Sequence, residues 1–178
     1  MKIARVLPAL LLVLCAARAW AAETDELLKA ASGAFEAAQH RKVIEIAAES
    51  DAAREGAPKL LYLAGESRLV LGEPAEAEAA FRAVLQKRPQ AQPARVGLGR
   101  ALSLQGKHEE ALVELKAAAK ADPKDPAAQR ALAQAVVAAD QAAEGTKLLE
   151  TLLKAQPTDV LAARLLVEAR LKAGEVEE

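Results

Sequence analysis

Aromatic side chains are almost missing from this sequence. Two phenylalanines, one tyrosine and one tryptophan make up 2% of its 178 residues. A surface that stacks nucleic-acid bases needs aromatic platforms, and there is almost nothing here to build one from. Cysteine is nearly absent too: Cys15 is the only one, so no disulfide forms within one chain. Histidine occurs twice, as His40 and His108. Zinc takes three or four converging ligands, so two histidines in distant parts of the chain point to solvated turn residues instead. Ser32, Ser50, Ser67 and Ser103 have no histidine at a supporting spacing, and Glu109-Glu110 and Glu177-Glu178 read as a solvated face and a tail. No catalytic, cofactor or metal site is expected.

The first residues differ in kind from the rest. Lys2 and Arg5 precede an apolar run from Val6 to Ala17, and Ala19-Trp20-Ala21 follows. A charged start, a short apolar centre and small residues at the end describe a secretory signal peptide over residues 1–21. The run is short for a membrane-spanning helix. Cys15 raises lipidation as an alternative, and with it a lipid-anchored assembly factor. However, Leu14 stands just before it, where a bacterial lipoprotein signal has a small residue. Cleavage after Ala21 removes three basic residues (Lys2, Arg5 and Arg18) and the only cysteine. It takes the 24 basic residues to 21 against 25 acidic ones, a net charge of −4. That balance disfavours nucleic acid and anionic membrane as partners. An alanine-rich leader and body are expected of an exported Gram-negative protein, which places it in the periplasm.

The body of the chain keeps a strict period of 34. Pro89, Pro123 and Pro157 are separated by it, as are the small residues Ala31, Gly65, Gly99 and Ala133. Val43, Ala77, Ala111 and Gly145 form another column, and Ala38, Gly72, Gly106, Asp140 and Gly174 a third. Within each period, apolar residues recur every three or four positions over two stretches of about 14 residues, the pattern of amphipathic helices. Glycine at the third column ends the first stretch in a left-handed turn. Proline ends the second. One such pair cannot bury its apolar face alone, so copies must stack.

Ala77-x3-Phe81 with Pro89, and Ala111-x3-Leu115 with Pro123, closely match the end of the tetratricopeptide repeat signature, and the sequence resembles that family. The resemblance implies an all-α fold, a right-handed solenoid of about four helix–turn–helix repeats. These cover 24–57 (degenerate), 58–91, 92–125 and 126–159, with a capping helix at 160–173. Arg68 departs from the pattern, standing where a large apolar residue usually packs. In this family the first helices line a groove that holds a protein or peptide. Carrying those columns over gives Tyr62, Glu66, Leu69, Val70, Val96, Arg100, Leu104, Arg130, Gln134, Val137 and Arg164. Arginine forks onto carboxylates while its stem covers apolar area, so the expected partner is acidic and partly apolar. The competing reading pairs Arg100 with Glu66 one repeat back and Arg164 with Glu168 one turn on, as surface salt bridges. The expected function is a non-catalytic scaffold of the cell envelope; a structural homo-oligomer is the alternative.

Export has a direct test. Intact-mass measurement of protein from the envelope fraction should show a chain starting at Ala22 or Glu23. A lipidated species starting at Cys15, or a full-length cytosolic chain, overturns that expectation.

Overall fold

The computed structural model describes residues 7–49 and 57–174, with side chains described over 21–48 and 57–174. The expectations attached to Lys2, Arg5, Ser50 and Glu177-Glu178, and to the side chain of Cys15, lie outside the described residues. Nine helices and no strand occur among the described residues. They are α1 (Leu7–Glu36), α2 (His40–Glu49), α3 (Pro58–Val70), α4 (Pro74–Lys87) and α5 (Gln92–Leu104). After these come α6 (His108–Ala121), α7 (Pro126–Ala138), α8 (Ala142–Ala155) and α9 (Val160–Ala173). Among the described residues no helix is long and apolar enough to cross a membrane.

The helix ends follow from the sequence. Proline occupies the first or second helical position of α3, α4, α5 and α7, where its missing N–H costs nothing. Asp125 and Asp159 cap α7 and α9, accepting from Ala127 N–H at 2.9 Å and Ala162 N–H at 3.0 Å. The turn column then takes the left-handed conformation in all five copies. φ is 75° at Gly72 and Gly106 and 73° at Gly174, but also 55° at Ala38 and 59° at Asp140. Ala38 and Asp140 hold the same turn with a side chain that disfavours it.

Each described helix packs on the next one along the chain, α2 on α3 included. The first helices of the pairs (α1, α3, α5, α7 and α9) also pack on one another in that order. No comparable packing joins α2, α4, α6 and α8 among the described residues. The stack therefore draws together on the side of the first helices. Four apolar clusters run along it, each shared by three or more consecutive helices.

One knob locks each of the three later repeats. Phe81, Leu115 and Leu149, 34 residues apart on α4, α6 and α8, are fully buried. Phe81 fits between α3 and α5 because both helices present glycine to it. A Cβ on Gly65 would come within 2.8 Å of the Phe81 ring, and one on Gly97 within 2.5 Å. Leu115 packs against Gly99 in the same way. Arg68 lies in the column of Leu102 and Val136, which are 1% and 0% exposed, yet it is itself half-buried.

Gly99→Leu forces α5 and α6 apart, because a Cβ at Gly99 would already collide with Leu115. Overpacking costs about 1–3 kcal/mol and outweighs the roughly 1 kcal/mol that leucine gains over glycine in helix propensity. At Gly33 of α1 nothing lies within 4 Å of an added Cβ. Gly33→Ala therefore stabilises, by up to about 1 kcal/mol. Thermal melts should show the two substitutions moving Tm in opposite directions; a rise for Gly99→Leu overturns the packing.

Candidate protein-binding recess

The first helices meet in a recess of about 260 Å³ lined by α5, α7 and α9 alone. Its apolar lining is Val96, Ala127, Ala131, Leu161 and Leu165, of which Val96, Ala131 and Leu165 are buried. Its rim carries Arg100, Arg130, Arg164 and Gln134. A second hollow of about 160 Å³ continues past Arg100, Ala131 and Gln134 to Ser103 and Leu104. Arg130 and Arg164 stand one period apart, and Arg100 lies one helical turn further along its own helix, so three first helices bring three arginines to one opening.

They are not electrostatically alike. Arg100 Nη1 donates to Glu66 at 3.1 Å. Arg130 donates to Asp159, the residue whose other oxygen caps α9. Asp159 is therefore held below the usual carboxylate range, first by the Ala162 N–H and then by the neighbouring Arg130 charge. Arg164 does not pair with Glu168, which instead faces Lys172 at 3.9 Å. Among the described residues Arg164 has no ion pair, so the recess keeps one uncompensated guanidinium.

The remaining expected residues are divided by the fold. Glu66 and Gln134 stand on the recess side, and Val70 and Leu104 are 62% and 61% exposed. Tyr62 is half-buried, its ring 5.9 Å from that of Phe81. Burial, helped by nearby Glu66, pushes its hydroxyl up to about 12. Val96 is buried but lines the recess. Leu69 and Val137 do not belong to a binding surface. They are 8% and 3% exposed and sit in the apolar clusters around Phe81 and Leu149. Both lie on the last turn of a first helix, where the returning second helix covers them. Val137 fills the space that the missing side chain of Gly145 leaves.

The histidines also need correction. His40 and His108 begin second helices and are half-buried instead of solvated. His40 meets the Phe35 ring edge-on at 5.5 Å, and its Nδ1 lies 3.4 Å from Ser67 Oγ. Ser67 thus has a histidine after all, 27 residues away in sequence. Its hydroxyl is fully buried, with no room for a substrate to reach it. Asp159 was missed as a site residue, although its place just before an apolar helix is the signal of a cap. Among the described residues no three His, Cys, Asp or Glu side chains are grouped to hold a metal. The larger recess of about 620 Å³ between the α5–α6 and α7–α8 turns is a shallow trough, and Lys107 on its rim is already bound to Glu78 at 2.9 Å.

Stacked helix hairpins with a recess on the first-helix wall define an α-solenoid. Residues 69–135 match the tetratricopeptide repeat model. No curated protein matches it. A MamA fragment from Desulfovibrio magneticus RS-1 superposes with a TM-score of 0.71 at 21% identity, covering 84% of each chain. YrrB, described as a TPR protein with an unusual peptide-binding site, gives 0.65 at 19%, covering 83% of this chain and 72% of its own. A tetratricopeptide repeat protein from Parabacteroides merdae gives 0.73 at 13%, covering 84% and 58%. At these identities the likeness is one of fold.

Two depressed carboxylates set the acid limb of stability. Glu78, on α4, is lowered to about 2, chiefly by its hydrogen bond from Lys107 and then by those from Arg82 and Gln105. Asp159 is lowered as described. Both contribute stability above the unfolded carboxylate range of about 4, and lose it as pH falls through their folded values. Tm should drop as pH falls below about 4. Asp159→Ala should flatten that limb and cost about 0.5–2 kcal/mol at neutral pH through the lost cap. An unchanged Tm at neutral pH shows that Asp159 caps nothing of consequence.

Proposed function

We propose that this chain is a non-catalytic scaffold that holds an acidic, partly apolar segment of another protein in the α5–α7–α9 recess. The observation that carries the proposal is the charge count at its rim. Three arginines share the opening with apolar side chains, and among the described residues only Glu66 and Asp159 are bonded to them. Arg164 is left to bind a carboxylate from outside, while Val96, Leu161 and Leu165 receive the adjoining apolar side chain. The peptide-binding site ascribed to YrrB supports the reading, since the two chains share a fold. The charged start, apolar run and Ala19-Trp20-Ala21 support placing this work outside the cytoplasm, in the periplasm, with the leader removed.

The test uses arrays of short peptides in which one Asp or Glu is moved along a leucine-containing sequence, with binding followed by fluorescence anisotropy. The best peptide should bind more weakly as salt rises, because charges separated by more than about 8–10 Å are screened. Arg164→Ala should weaken it by roughly 1 kcal/mol, about fivefold, as expected for a charge-assisted contact at a half-open rim. Changing Arg100, Arg130 and Arg164 together should weaken it further with the helical circular dichroism intact. Lys116→Ala, on exposed α6 surface, serves as the control. Equal affinity for the triple variant and the parent refutes the proposal.

A further inference from the structure

The helix that closes the recess carries an open seam of its own. Leu161, Arg164, Glu168 and Leu171 follow one another at steps of three, four and three residues. That is the a/d rhythm which sets four side chains along one line of a helix. The packed side of α9, with Ala162, Leu165 and Ala169, is buried against α7 and α8. Leu161 and Leu171 are 51% and 60% exposed, and Val160 and Val167 beside them are 78% and 60% exposed. Four of the seven exposed large apolar side chains among the described residues lie on α9.

The order along the seam is apolar, positive, negative, apolar, which is its own complement when reversed. We propose that its partner is a second copy of this chain, with α9 packed antiparallel on α9 about a two-fold axis near Leu166. Such an axis sets residues equally far before and after position 166 opposite each other. Leu161 then faces Leu171 of the second copy, and Arg164 faces Glu168 of the second copy. Symmetry makes each contact twice, as an isologous interface requires. A parallel pair would stack Arg164 on Arg164 and Glu168 on Glu168, so charge selects the antiparallel form. The second copy's α9 has the composition expected of a recess ligand, an acid among leucines. Self-association and peptide capture therefore compete for the Arg164 guanidinium. A seam of one 14-residue helix is about 21 Å long, so the dimer is weak and concentration-dependent.

Sedimentation velocity on the purified protein, over roughly 1–200 µM to bracket a micromolar Kd, tests this. The parent should shift from monomer to dimer as concentration rises. R164E and E168R should each raise the dimer Kd by about tenfold or more, since each sets like charges face to face. The double variant R164E/E168R restores the opposite pair and should return the dimer to near parental strength. Circular dichroism on all four confirms the fold. A parent that stays monomeric, a dimer indifferent to both single reversals, or a double variant as weak as the singles overturns the proposal. E168R leaves Arg164 and the recess in place, so its peptide binding reports on the recess independently of the dimer.

Discussion

Everything in this solenoid depends on one steric fit: a bulky side chain of the second helices α4, α6 and α8 lodged against small residues of neighbouring first helices. Phe81 is the largest case, fully buried against Gly65 and Gly97. Glycine inside a helix costs up to about 1 kcal/mol relative to alanine, so two of them facing one ring are a real expense. The return is close approach of α3, α4 and α5 in a chain with hardly any other aromatic side chain. Leu115 and Leu149 repeat the arrangement with smaller knobs, and the small residues opposite shift accordingly from glycine towards alanine at Ala133.

The same fit determines what the first-helix wall can display. Because the knobs fix how the first helices lie against each other, residues one repeat apart become neighbours on that wall. Arg100 reaches Glu66, 34 residues back, for this reason. Asp159 works differently, joining two repeats from a loop: one oxygen caps α9 and the other holds Arg130. The wall and the last helix are thus tied through a single carboxylate.

The fold was legible because it is periodic. Columns of small residues, turn residues and prolines at one spacing permit little besides stacked hairpins, and the all-α solenoid is what the chain forms. The recess was legible only where it, too, obeys the period, as for Arg100 with Glu66 and for Arg130 with Arg164, each pair 34 residues apart. It was not legible at the helix ends. Leu69 and Val137 share a face with groove residues on a helical wheel, but the last turn is covered by the returning helix, which no wheel represents. The Arg130–Asp159 bond spans 29 residues and the His40–Ser67 approach 27, neither of them the repeat. Such contacts arise from loops and helix starts, whose positions are set by packing.

The stacking of first helices also gives the wall a length scale. Packed helix axes lie about 8–10 Å apart, whatever side chains they carry on their open faces. An extended chain advances about 3.3 Å per residue, so one laid across the wall meets a new helix roughly every third residue. A helical ligand, rising 1.5 Å per residue, takes about six residues to cover the same step. The wall is therefore a ruler graduated in helix widths. Substitutions on its surface change what is read at each mark, but the distance between marks belongs to Phe81, Leu115 and Leu149.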